Sequence, residues 1–253
     1  MDKLVVQGIC KQFGANEVLN EMSFTVQEGE FLSILGSSGC GKTTILRILI
    51  GLLAPDHGRI LKDGRDITQL PPEKRGMGIV FQNYALFENM TVLGNVEYAL
   101  KHNRQTRATA RKTAEEMIDM VGLTEHITKR PGKLSGGQQQ RVAIARTLAL
   151  HPDVILFDEP MSALDVDARL VMRRELKRLQ AKFRSTMIYI THDQEEAFAM
   201  SDRIMVMRKG VIEQMDTPSN LIDHPASAYI EQFVLANIDA KIESLIRFVR
   251  KEA

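Results

Sequence analysis

Residues Gly36-Ser37-Ser38-Gly39-Cys40-Gly41-Lys42-Thr43 satisfy the phosphate-binding loop pattern G-x-x-x-x-G-K-[ST] at every fixed position. The loop also has the flanks it needs. Phe31-Leu-Ser-Ile-Leu35 reads as a short buried strand, and Thr44-Ile-Leu-Arg-Ile-Leu-Ile50 as a helix with an apolar face. Glycine lets the backbone wrap an anion with successive N–H groups turned inward, and the helix N-terminus adds partial positive charge. In that setting Lys42 can reach β- and γ-phosphates and the Thr43 hydroxyl can ligate Mg²⁺. Cys40 stands at the same helix start, two residues from Lys42, which predicts a thiolate-prone, maleimide-sensitive side chain shielded by Mg-ATP. An inert thiol packed under the loop is the alternative.

A second element sharpens the first. Val154-Ile-Leu-Phe157 is an apolar run consistent with a buried parallel strand, and it ends in Asp158-Glu159-Pro160. Open α/β sheets bind ligands at the carboxyl ends of their strands, so these carboxylates are expected beside the phosphate loop. Asp158 would then hold Mg²⁺ and Glu159 would polarise an attacking water; an N-cap role for the Asp is the competing reading.

Composition narrows the class. Thirty-three basic against 32 acidic residues, a formal net charge of +1, argue against a dedicated nucleic-acid binder. The longest apolar run, Ile48–Ala54, is bounded by Arg47 and Pro55, short of a membrane span. Two cysteines, Cys10 and Cys40, suggest no disulfide framework, and the opening residues lack a secretory apolar core. Cytosolic exposure is expected, so a membrane role would come through a partner chain.

Leu4–Ile9, Ser23–Val26 and Gly58–Leu61 read as strands of a β-rich N-terminal part, with Lys62-Asp63-Gly64-Arg65 as a hairpin turn. Gly78–Phe81 is a further strand, followed by Gln82. From Val92 to Leu150 the pattern turns helical: Ala110, Ala114, Met117, Ile118 and Val121 line one face of Thr106–Val121. Asp165–Phe183 is a second helix, with Ala168, Met172, Leu176, Leu179 and Phe183 on its core side and Arg173, Arg174, Lys177 and Arg178 as a solvated face. Thr186–Thr191 is a β-branched strand with His192 just past its end, and Arg203–Met207 and Val211–Met215 flank a second hairpin turn.

Leu134-Ser135-Gly136-Gly137-Gln138, continued by Gln139–Arg146, carries a resemblance. The chain resembles the ATPase subunit of ATP-binding-cassette transporters over residues 1–233, with every motif in family order. The resemblance implies an α/β fold: a P-loop NTPase (RecA-like) core, an N-terminal antiparallel β subdomain, and an α-helical subdomain inserted at about 88–153. It further implies that Gln82 contacts Mg²⁺ or water, that His192 contacts the γ-phosphate, and that Ser162-Ala-Leu-Asp165 lies at a dimer interface. Phe13 stands where the family stacks an aromatic on adenine; a core residue is the alternative. Asp165 could cap the helix that follows. The ligands implied are ATP, held by Phe13, Gly36–Thr44, Ser135–Gln138 and Asp165, and Mg²⁺, held by Thr43, Gln82 and Asp158; Glu159, His192, Gln82 and Lys42 are the implied catalytic set.

Ser135 with Gly136 and Gly137 forms a second anion cradle, at the start of a helix beginning near Gln138. Two cradles far apart in one chain suggest one ATP gripped by two subunits, which the family does as a head-to-tail dimer. The implied partners are a second copy or a related ATPase, permease subunits and, through them, a substrate-binding protein, at the cytoplasmic face of the plasma membrane; no nucleic acid is expected. Tyr84–Val92 suits either a docking groove for a coupling helix or a buried loop. The run Thr191–Ala197 and the tail Asp216–Phe233 resemble importers for polyamines, ferric iron, sulfate, sugars or phosphonates. After Phe233, a single amphipathic helix is expected over Ala236–Lys251, packed on its own or its partner's body, with no regulatory barrel. A soluble ABC ATPase outside transport, or a nucleotide-binding regulator, are the competing functions.

Overall fold

The computed structural model describes residues 1–235. Strands β1 (Asp2–Phe13) and β2 (Asn16–Gln27) form an antiparallel pair. β4 (His57–Lys62) pairs antiparallel with β1 and with the two-residue β5 (Arg65–Asp66), giving a sheet ordered β2-β1-β4-β5. Asp63 and Gly64 both have positive φ, 51° and 74°, as a two-residue turn of matching twist requires.

The second sheet is ordered β10-β9-β3-β8-β7-β6, from β3 (Phe31–Gly36), β6 (Met77–Val80), β7 (Val154–Asp158), β8 (Thr186–Thr191), β9 (Arg203–Arg208) and β10 (Val211–Asp216). Five of its strands run parallel, and β10 returns antiparallel to β9. Every residue of β3, β7 and β8 is buried. Both faces are covered, which is why these strands read as unbroken apolar runs. On one face Phe31, Ile155, Phe157, Met187 and Tyr189 meet the helices. On the other, Leu32, Ile34, Leu156, Ile188 and Ile190 pack on helix α1 (Lys42–Ile50) and on Leu4, Val6, Val26 and Ile60 of the antiparallel sheet.

Between β6 and β7 the chain makes helices α2 (Val92–His102), α3 (Ala110–Met120) and α4 (Gly136–Leu148), which pack on one another around Val96, Leu100, Ala114, Ile118 and Val142. The fold is α/β, a phosphate-loop nucleotide-binding core with an antiparallel sheet and a helical insertion. Helix α5 (Val166–Phe183) buries Met172, Leu176 and Leu179. Helices α6 (Gln194–Met200) and α7 (Pro218–Asp223) complete the last layer, with Ile230 and Val234 packed on Leu35, Ile204 and Val206.

Several expectations shift. α3 begins at Ala110 rather than Thr106, because Asn103–Thr109 turns back on itself, the Thr106 and Arg107 N–H groups bonding to the Asn103 carbonyl. β6 ends at Val80, leaving Phe81 in the loop. The face of α5 read as solvated is only half so: Arg173 and Lys177 are partly buried, and the Lys177 ammonium lies 5.3 Å over the Phe31 ring. The segment Ala236–Lys251 lies outside the described residues. Among those described, no helix is long and apolar enough to cross a membrane.

Leu156 is fully buried at the middle of β7. Leu156→Ala should cost about 2–5 kcal/mol of stability, read from denaturant midpoints at constant m-value; a loss below about 1 kcal/mol would contradict this packing.

Candidate nucleotide site

The register of the parallel strands builds the site. Leu35 of β3 lies opposite Thr191 of β8, and Asp158 of β7 opposite Ile190 of β8. The loops leaving these three strand ends therefore open at one edge, and they carry Gly36–Thr43, Asp158-Glu159 and His192.

The phosphate loop is made by tight backbone contacts. Gly41 has φ 105°, and a Cβ there would sit 2.9 Å from the Val18 carbonyl oxygen. A Cβ on Gly36 would meet the Met207 carbonyl at 2.6 Å and Cys40 Sγ at 2.7 Å. Only glycine fits at either position. The Lys42 ammonium is buried and donates to the carbonyls of Gly36 (2.7 Å) and Ser37 (3.0 Å), which uses two of its three donors. Ser38 and Gly39 form the exposed crest of the loop, and Thr44 lies in the first turn of α1.

Thr43 Oγ1 donates to Asp158 Oδ1 at 3.3 Å. Burial pushes the Asp158 carboxyl above its ordinary pKa, with the Thr43 hydrogen bond opposing. A desolvated carboxylate beside a hydroxyl is a hard oxygen pair, and it fits a divalent cation such as Mg²⁺. Glu159 follows in the left-handed region (φ 44°), its N–H bonded to the Ile190 carbonyl at 3.1 Å. That turn presents its carboxylate to His192, with Oε2 at 3.0 Å from Nδ1. Two residues 33 apart in sequence are thus brought into contact. Gln82 donates through Nε2 to the Ser162 hydroxyl (3.2 Å), which in turn donates to the Glu159 carbonyl (3.0 Å). Its amide nitrogen is thus engaged by the turn after Glu159.

Phe13 is 50% exposed at the tip of the β1–β2 hairpin, which excludes the core alternative. The same hairpin touches the phosphate loop through Val18 and Leu19 beneath Gly41. Asp165 caps α5, accepting from Ala168 N at 2.8 Å. Ser135, Gly136, Gly137 and Gln138 lie elsewhere. α4 begins at Gly136, two residues before the position expected, with Ser135 as its N-cap. These four residues line a cleft with Leu123, Ala163 and Asp165, and none of residues 36–44 lines it. In Tyr84–Val92, Tyr84 is buried while Phe87 is exposed and packs on the exposed Tyr98, ring centroids 4.6 Å apart. The loop is pinned by Arg146, which donates to the carbonyls of Ala85 (2.7 Å) and Tyr84 (2.9 Å).

Cys40 follows the packed-thiol alternative rather than the thiolate one. It is buried under the loop, and desolvation pushes its thiol up despite the opposing Lys42 charge. Some participants were missed altogether. Tyr229 lies beside Ser37 of the phosphate loop, stacks on Phe233 at 5.3 Å, and lies under the Arg208 guanidinium at 4.5 Å. Gln194, two residues past His192, donates to the Phe233 carbonyl. The four-residue spacing of Tyr229 and Phe233 was the available signal, since a helical turn puts both on one face.

Two outcomes follow from these environments. Cys40 should react with maleimide at neutral pH more than tenfold more slowly in the native protein than in the unfolded chain, by timed mass spectrometry; equal rates would restore the thiolate reading. Asp158, whose folded pKa is raised, stabilises the fold at low pH, and that contribution is lost as pH rises through the folded pKa. Asp158→Asn should flatten this part of the stability-against-pH curve in metal-free buffer and raise the melting temperature at neutral pH. An unchanged curve would remove the desolvated charge from the account.

The chain is similar to known proteins. The family described as ABC transporter matches residues 19–162. The sulfate/thiosulfate import ATP-binding protein CysA 2 of Chromobacterium violaceum is 49% identical over 233 residues, covering 92% of this chain and 63% of that protein. The Fe(3+) ions import ATP-binding protein FbpC 1 of Rhizobium meliloti is 49% identical over 231 residues, 91% of this chain and 65% of that protein. The spermidine/putrescine import ATP-binding protein PotA of Bacillus cereus is 47% identical over 238 residues, 94% and 73%. The chain thus spans a little under two thirds of the length of the first two. The solved structure of cbiO1 from Clostridium perfringens, part of the ABC transporter complex cbiONQ, superposes with a TM-score of 0.82 at 27% identity, over 96% of this chain and 99% of that one. With its phosphate loop, Asp158-Glu159 pair and His192 gathered at one sheet edge, the chain belongs to the ABC transporter family of ATP-binding subunits.

Proposed function

We propose that this chain is an ATPase that powers import through separate permease subunits. The observation that carries the reading is the meeting of Lys42, Thr43, Asp158, Glu159 and His192 where three parallel strands end. Phosphoryl transfer to water needs charge neutralised and water placed in line more than it needs covalent chemistry. Lys42 has one donor left for a phosphate oxygen. Thr43 and Asp158, with Gln82 nearby, would hold Mg²⁺, which neutralises phosphate charge when bound. Glu159 has the carboxylate to orient and polarise water, and His192 Nδ1 keeps that carboxylate aimed (3.0 Å). Residues 36–44 and Phe13 would hold the nucleotide.

The cradle at Ser135–Gln138 opens with Asp165 into a cleft apart from the phosphate loop, which favours its use on a second subunit's ATP. In this reading two copies, or this chain and a related ATPase, close head to tail on ATP and reopen after hydrolysis. Permease subunits would dock at the exposed Phe87–Tyr98 surface beside the Gln82 loop, at the cytoplasmic face of the membrane, and would connect the ATPase to a substrate-binding protein. The names of the relatives support an importer and disagree on cargo, as expected if partner chains select it.

Glu159→Gln tests the reading. Turnover should fall about 10²–10⁴-fold, the range of a general-base contribution, while ATP binding persists and the variant elutes as an ATP-dependent dimer. Lys42→Ala should lose ATP affinity and remain monomeric. Unchanged hydrolysis in Glu159→Gln would remove Glu159 from the mechanism, and failure to co-purify with any permease would overturn the transport part.

A further inference from the structure

The start of α4 depends on a side chain outside any motif. Gln138 Oε1 accepts the Ser135 N–H at 2.9 Å, and Ser135 Oγ accepts the Gln138 N–H at 3.3 Å, a reciprocal capping box. The box takes the N–H groups of Ser135 and Gln138 and leaves those of Gly136 and Gly137 for another acceptor. The Gln138 amide holds this arrangement in one orientation only, since the Ser135 N–H demands an acceptor. The amide nitrogen then points the other way, and it meets His126 Nε2 at 2.8 Å. An amide nitrogen donates and does not accept. His126 must therefore present an unprotonated Nε2 and carry its proton on Nδ1, which is buried without a hydrogen-bond partner among the described residues.

His126 is held in place from elsewhere. It ends the turn Thr124–His126, and the next residues are pinned to the start of α2: Leu93 N–H bonds to Ile127 O at 3.1 Å and Val92 N–H to Lys129 O at 2.8 Å. The ring nitrogen is thus an acceptor carried on a pinned backbone, facing the Gln138 amide.

We propose that His126 is a positioning residue for the Ser135–Gly137 turn, locking the Gln138 amide so that the two glycine N–H groups stay free for an anion. This rests on the ATPase reading above for its consequence, though not for its geometry. With an apolar residue at 126, the amide nitrogen has no acceptor and the Ser135 N–H alone holds the amide in the orientation that the capping box requires.

Nitrogen NMR of histidine-labelled protein should show His126 as the neutral Nδ1–H tautomer; the Nε2–H tautomer would overturn the proposal whatever the protein's activity. His126→Leu also removes a buried unpartnered N–H, so its melting temperature should not fall. ATP affinity of the isolated monomer should stay unchanged, while kcat drops about 3- to 10-fold, the rate equivalent of one neutral hydrogen bond. His126→Gln, which can again offer an acceptor, should recover kcat to within about twofold. Full kcat in His126→Leu, or equal loss in both variants, would overturn the positioning role. Wild-type protein that neither hydrolyses ATP nor dimerises on it would instead overturn the ATPase reading and leave the tautomer result standing.

Discussion

The parallel pairing of β3, β8 and β7 is the constraint on which the rest of the structure depends. These strands are buried on both faces and therefore cannot slip or twist apart without exposing both cores. Their register sets Leu35 opposite Thr191 and Asp158 opposite Ile190, so the three strands end at one edge. The loop geometry is then nearly forced. Glu159 turns through the left-handed region because its N–H pairs with Ile190, and the Gly41 crossing is tight because β2 runs directly beneath it. A site assembled this way has little freedom to misplace its charges, and preorganisation of that kind is what phosphate chemistry requires.

The site is bordered by elements that can report on it. Gln82 reaches the Glu159 backbone through Ser162. On the other flank, Tyr229 rests on Ser37 while the carbonyl of Phe233 takes a hydrogen bond from Gln194. The last described segment thus straps the phosphate loop to the helix that follows His192. Beneath that helix the buried Glu196 carboxylate accepts from Tyr189 (2.7 Å) and Thr191 (2.8 Å), fixing the strand end from which His192 projects. The histidine itself is more than half exposed, so its position is set by its backbone and by Glu159 rather than by enclosure.

Much of this was legible in the residues themselves. The phosphate loop, the Asp158-Glu159 step and the Asp63-Gly64 turn are local statements, in which neighbours a few residues apart must adopt one backbone path. The apolar runs of β7 and β8 carry the same information because burial on both faces leaves no polar alternation. What the sequence determined by itself was therefore the main elements, their order along the chain, and which polar side chains stand at the strand ends.

The tertiary structure decided everything that depends on distant segments meeting. Cys40 looked reactive from its neighbours at the helix start, yet packing beneath the loop desolvates it, and desolvation outweighs the nearby Lys42. Arg173 and Lys177 looked solvated from helical periodicity alone, until the neighbouring elements partly covered them. Tyr229 offered only its four-residue spacing from Phe233, and His126 on Gln138 carries no motif, because a single side chain has no period or spacing to betray it. Local backbone preference is written in neighbouring residues; burial, pKa and hydrogen-bond partnership are properties of the assembled neighbourhood, and only the packed chain supplies them.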